Sequence, residues 1–98
     1  MTFAEFSGLA SASRITRTLP PSLEALLSDA GGDWDAAHAI VQQSDTPDAA
    51  WVHTYLHRKE GDQGNAAYWY ACAGRPVADS PLNQEWEAIA RALLNDPG

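Results

Sequence analysis

Glycine and proline signals recur along this chain at intervals that suit only short helices. Between them apolar residues repeat at helical spacing, as Leu19, Leu23, Leu26 and Leu27 do on one face. The stop signals are Gly31-Gly32, Gly61 and Gly74-Arg75-Pro76, and the start signals are Asp33, Thr46-Pro47-Asp48 and Ser80-Pro81. The pattern predicts an all-α fold of about five helices.

Residues 19–98 are predicted to form a single α-helical domain, and residues 1–18 a flexible or docked N-terminal arm without a sustained period. A length of 98 residues is about one domain, and an apolar content of 45% is enough for one core. Connections of two to four residues predict that the first and second helices, and the third and fourth, form helix-turn-helix hairpins. The fifth helix is predicted to cap them.

The charge balance argues against polyanionic partners. Thirteen acidic residues face six basic ones, for a net charge of -7, and such a surface repels nucleic acid and anionic membranes. No apolar run approaches the roughly 20 residues of a membrane-spanning helix. Cys72 is the single cysteine, so no intramolecular disulfide is possible and a cytoplasmic location is predicted.

Motifs of common enzymes are missing from the sequence. We find no glycine-rich phosphate loop, no Ser-His-Asp arrangement with supporting context and no Cys-x-x-Cys pair. The sequence therefore predicts no enzyme activity and no cofactor.

The third predicted helix carries the most unusual chemistry. His53 and His57 are four residues apart and Glu60 follows three later, so two imidazoles and a carboxylate can face one divalent metal ion. Thr54 stands where the zinc-protease motif His-Glu-x-x-His requires glutamate. His38, on the preceding helix, can add a third nitrogen if it faces the pair. The alternative is that the histidines are structural residues at the hairpin seam.

Aromatic and basic side chains form a second set of candidate binding residues. Aromatic rings at helical spacing serve either as core or as a binding groove, and a guanidinium beside them can recognise a carboxylate. The candidates are Trp51, Tyr55, Arg58, Trp69 and Arg75. Arg58 has the alternative of pairing with an acidic residue near the end of its helix.

The fourth predicted helix resembles a known repeat. Gly61, followed by Ala66, Trp69, Tyr70 and Ala73, is similar to the second helix of tetratricopeptide (TPR) and Sel-like repeats. The resemblance implies two TPR-like hairpins and a scaffold that binds peptides or partner proteins along a concave surface. The segment 50–66 also resembles a group of small uncharacterised bacterial proteins, which brings no activity with it.

Two hypotheses follow from the sequence. The first is a small TPR-like protein-protein interaction module or homodimeric scaffold, with a protein or peptide as partner. The alternative is a small metal-binding protein that uses the helix face of His53, His57 and Glu60.

Overall fold

The chain folds into six α-helices, and the computed structural model describes residues 1–12, 19–61 and 63–95. The helices are α1 (Phe3–Ala12), α2 (Pro21–Ala30), α3 (Trp34–Gln42), α4 (Pro47–Lys59), α5 (Gln63–Ala73) and α6 (Leu82–Leu94). Within those described ranges no strand occurs, which confirms the all-α prediction. In the same ranges, every helix is too short or too polar to cross a membrane.

Side-chain caps explain where α3 and α4 begin. The Asp33 carboxylate accepts a hydrogen bond from the Ala36 amide at 3.0 Å, and the Thr46 hydroxyl accepts one from the Ala49 amide at 3.1 Å. Each bond satisfies an amide that has no acceptor within its own helix. Gly61 follows α4 with a φ of 92°, a conformation that only glycine adopts without strain. The start signals predicted at Asp33 and Thr46 are therefore confirmed.

Helix α1 corrects the prediction of five helices, because it forms where the sequence showed no sustained period. Thr2 and Glu5 cap it reciprocally: the Thr2 hydroxyl accepts from the Glu5 amide at 3.2 Å, and Glu5 Oε1 accepts from the Thr2 amide at 3.1 Å. Phe6 is fully buried and stacks on Trp86 of α6, with ring centroids 5.5 Å apart. Residues 13–18 of the predicted arm lie outside the described residues.

The core lies between α2, α4 and α6, with α1 covering one side. Its largest fully buried apolar side chains are Phe6, Leu26, Val41, Val52, Leu56, Tyr70 and Ile89. Burial of an aliphatic or phenylalanine side chain stabilises a fold by about 1.5–3 kcal/mol relative to exposure. Helix α2 packs on α3, α4 packs on α5, and α3 also packs on α4. That last contact positions the candidate site.

Candidate metal centre

Three histidines from two helices meet in one group, which we call the histidine cluster: His38 of α3 with His53 and His57 of α4. Their spacing places His53 and His57 one turn apart on the same face of α4. The Nε2 atom of His53 lies 3.1 Å from Nε2 of His38 and 3.0 Å from Nε2 of His57. The structure thus brings His38 to the pair that the sequence singled out.

The arrangement of these nitrogens suits a cation better than a chain of hydrogen bonds. A neutral imidazole Nε2 carries either one hydrogen or one lone pair. His53 Nε2 can therefore make one well-aligned hydrogen bond, although it has two nitrogen neighbours within 3.1 Å. The possible ligand atoms of the cluster all lie within 4.8 Å of one another. Nitrogens bound to one tetrahedral zinc ion are about 3.3–3.4 Å apart, so small shifts would place all three on one ion.

Two tryptophan rings lie against the histidine cluster. Trp34, one turn before His38 on α3, stacks on it with centroids 4.8 Å apart and ring planes 9° from parallel. The Trp34 indole nitrogen donates a hydrogen bond to the Leu56 carbonyl at 2.9 Å, which ties α3 to α4. Trp69 of α5 is stacked on His57 at 5.9 Å and lies 4.7 Å from His53. These contacts restrict rotation of the imidazoles and give the cluster an apolar surrounding.

The environment of His53 favours its neutral form. Burial lowers its pKa from 6.5 to about 4, and the neighbouring His57 and His38 add to the shift. A neutral imidazole is the form that donates a lone pair to a metal ion. At neutral pH a metal ion therefore does not have to displace a proton from His53.

Acidification of the metal-free protein is expected to destabilise the fold through His53. The unfolded chain takes up this proton near pH 6.5, whereas the folded chain takes it up only near pH 4. The unfolded state therefore binds more protons in that window, and stability falls as the pH falls through it. Thermal melting in chelator at several pH values measures the effect. The His53→Asn variant should lose less stability over this range, and equal slopes for both proteins would contradict the assignment.

Glu60, predicted as the third ligand, is not part of the histidine cluster. It is the exposed C-cap residue that follows α4, and the group of potential metal ligands contains His38, His53 and His57 instead. The geometry thus favours an imidazole from α3 over a carboxylate from α4.

The candidate binding residues fall in different places. Trp69 lies at the histidine cluster. Trp51 is partly buried beneath Arg75, whose guanidinium carbon lies 3.8 Å from the ring centroid in a cation-π contact. Arg75 itself is exposed. Trp69 therefore belongs to the histidine cluster, whereas Trp51 and Arg75 form a separate contact.

Tyr55 and Arg58, the other two candidates, lie in the interior. Tyr55 is 3% exposed, and burial together with the charge and hydrogen bond of Asp29 raises the pKa of its hydroxyl. Arg58 Nη1 donates to Glu85 Oε1 at 2.7 Å, and this hydrogen bond raises the pKa of the guanidinium. Both side chains therefore have structural contacts within the fold.

A cavity of about 470 Å³ lies between α1, α2, α4 and α6. Its lining includes the apolar side chains of Leu82 and Trp86 and the polar groups of Asp29 and Tyr55. The Asp29 carboxylate is almost fully buried and forms a 2.9 Å ion pair with Lys59. Because these polar groups pair with one another, the cavity offers fewer polar groups to a ligand than the histidine cluster does.

Trp34 was not among the candidate residues named from the sequence. A signal was present, because Trp34 and His38 share the i, i+4 spacing of His53 and His57.

Comparison with protein-family models, with curated proteins and with solved structures finds no match.

Proposed function

We propose that this protein binds one zinc ion through His38, His53 and His57. The observation that carries the proposal is the convergence of three imidazole nitrogens, with Nε2 contacts of 3.0 and 3.1 Å around His53. Imidazole is a preferred protein ligand of Zn²⁺, and three histidines are an established zinc ligand set.

The surroundings of the cluster support this proposal. The lowered pKa of His53 keeps a lone pair available at neutral pH. Trp34 and Trp69 hold the rings against rotation, which reduces the entropy lost on binding an ion. The ligands come from two helices joined by residues 43–46, so the fold brings them together before the ion arrives.

Calorimetric titration of untagged, chelator-stripped protein tests the proposal. With ZnCl₂ we expect saturation at one ion per chain, reversed by a chelator. With CoCl₂ we expect the visible absorption of a nitrogen-ligated ion, together with quenching of Trp34 and Trp69, whose rings contact the ligands. MgCl₂ is the control, because Mg²⁺ prefers oxygen ligands. Failure to saturate at one equivalent of Zn²⁺, or equal binding of Mg²⁺, would overturn the proposal.

The second candidate function that we propose is an interaction scaffold. In this proposal the helical hairpins have a TPR-like arrangement and the protein is cytoplasmic. The pairing of α2 with α3 and of α4 with α5 supports it, as does Tyr68 on α5, which is 62% exposed. Light scattering on untagged protein separates the candidates. A dimer indifferent to chelator favours the scaffold, and a mass that changes on chelation favours the zinc site.

A further inference from the structure

The proposed zinc site leaves a coordination position for a ligand from outside the chain. Within residues 1–12, 19–61 and 63–95, the group of potential metal ligands is three histidines, with no fourth histidine, cysteine or carboxylate in it. Zinc is almost always four-coordinate in structural sites, and where the protein supplies three ligands water or substrate takes the fourth position. All three histidines are only partly buried, so solvent can reach an ion that they hold.

The charge of the three protein ligands determines how strongly the ion acidifies a water bound as the fourth ligand. Three neutral imidazoles leave the full double positive charge on the ion. That charge stabilises a bound hydroxide and lowers the pKa of zinc-bound water to about 7 in a comparable three-histidine site. The tryptophan contacts strengthen this effect, because an apolar surrounding screens the charge less than water does.

We propose that the histidine cluster is a hydrolytic centre, in which zinc held by His38, His53 and His57 activates a water molecule for attack on small carboxylic esters. This inference rests on the proposed zinc site and adds a reaction class to it. The ion acts by generating a nucleophile at neutral pH, and it needs no further protein carboxylate to do so.

The reaction balances as a simple hydrolysis. Bound water first releases a proton to solvent, and the resulting hydroxide forms a bond to the ester carbonyl carbon. The bond between that carbon and the alcohol oxygen then breaks. The departing alkoxide takes up a proton from solvent, and a new water takes the place of the carboxylic acid product on the ion. One ester and one water therefore give one acid and one alcohol, with no oxidant or reductant.

The two tryptophans suggest the kind of ester that is best used as a probe. Trp34 and Trp69 are partly exposed beside the cluster and offer flat apolar surface to a ring. Aromatic rings pack favourably on such surfaces. A nitrophenyl ester therefore combines a reactive carbonyl with a group suited to the site.

Hydrolysis of 4-nitrophenyl acetate tests the inference on three samples: stripped protein, protein with one equivalent of Zn²⁺, and Zn²⁺ alone. The stripped protein is the baseline, because free imidazoles hydrolyse this ester slowly. We expect the zinc-loaded protein to exceed the other two samples together by at least about tenfold. The rate should rise with pH through one ionisation near pH 7, and azide should inhibit it. Glu60→Gln should keep the activity and His38→Ala should lose it.

Azide titration of the cobalt-loaded protein separates failure of this inference from failure of the zinc site. A change in the Co²⁺ spectrum, with zinc-dependent hydrolysis, supports a reactive fourth position. If Co²⁺ binds at one equivalent, but azide leaves its spectrum unchanged and Zn²⁺ adds no hydrolysis, the inference is wrong and the zinc site stands. If neither metal binds at one equivalent, both proposals are wrong.

Discussion

Replacing His38 with alanine is expected to weaken zinc binding at least about 100-fold, because loss of a direct ligand costs more than the about 10–100-fold caused by changes in its outer partners. The structure places His38 Nε2 3.1 Å from His53 Nε2, although the two residues lie on different helices. A competition titration against a chromophoric chelator measures the affinity. Circular dichroism of the metal-free variant verifies that the helices remain.

Glu60→Gln is the matched control for this prediction. Glu60 is exposed at the end of α4 and lies outside the histidine cluster, so its substitution should leave the affinity unchanged. The two variants therefore distinguish two ligand sets that share His53 and His57. If Glu60→Gln lost binding while His38→Ala kept it, the ligands would come from α4 alone and the three-histidine arrangement would be refuted.

Replacing Glu85 with alanine is expected to destabilise the fold by about 3–5 kcal/mol, because it leaves a buried guanidinium without its counter-charge. Glu85 Oε1 accepts from Arg58 at 2.7 Å, and the two side chains are 5% and 12% exposed. Its other oxygen accepts from the Tyr70 hydroxyl. Domains of this size are stable by about 5–15 kcal/mol, so the loss is a large share of the total. Urea unfolding measures it.

Two further variants identify the source of that loss. Tyr70→Phe removes one hydrogen bond to the carboxylate and should cost about 1.5–3 kcal/mol. The double variant Arg58→Met with Glu85→Met removes both charges and should cost less than Glu85→Ala alone. If Glu85→Ala destabilises the protein no more than Tyr70→Phe does, the buried charge is not the cause.

The helices that carry local start signals were predictable from the sequence. Thr46 and Asp33 cap the helices at the positions predicted from the sequence. A cap is a contact between residues three positions apart, so the local sequence is enough to predict it. Helix α1 carried such a signal in Thr2 and Glu5, which the scattered apolar residues of the segment obscured. Its docking depends on Phe6 meeting Trp86, a contact across 80 residues that no local pattern contains.

The candidate site was predictable only in part, for the same reason. His53 and His57 share a helix, so their spacing alone predicts a pair. The third member of the cluster depends on how α3 packs on α4, and that packing brings His38, rather than Glu60, to the pair. Arg58 had candidate partners close in sequence, yet it pairs with Glu85, 27 residues further along the chain.

The sequence does contain a local indication that Glu85 is buried. It lies three residues after Leu82 and four before Ile89, so it occupies the apolar stripe of α6. A carboxylate in such a stripe predicts a buried partner. The identity of that partner follows only from the packing of α4 against α6.

Three consecutive residues join α4 to three different neighbours. The His57 ring packs edge-on against the His38 imidazole of α3, with centroids 5.5 Å apart, Arg58 binds a carboxylate on α6, and Lys59 binds one on α2. Successive residues of an α-helix are rotated by about 100°, so one residue inserted or deleted earlier in α4 would turn all three away from their partners together. An insertion in residues 43–46 leaves this register intact. Natural variation in chain length is therefore expected in that connection and not within α4.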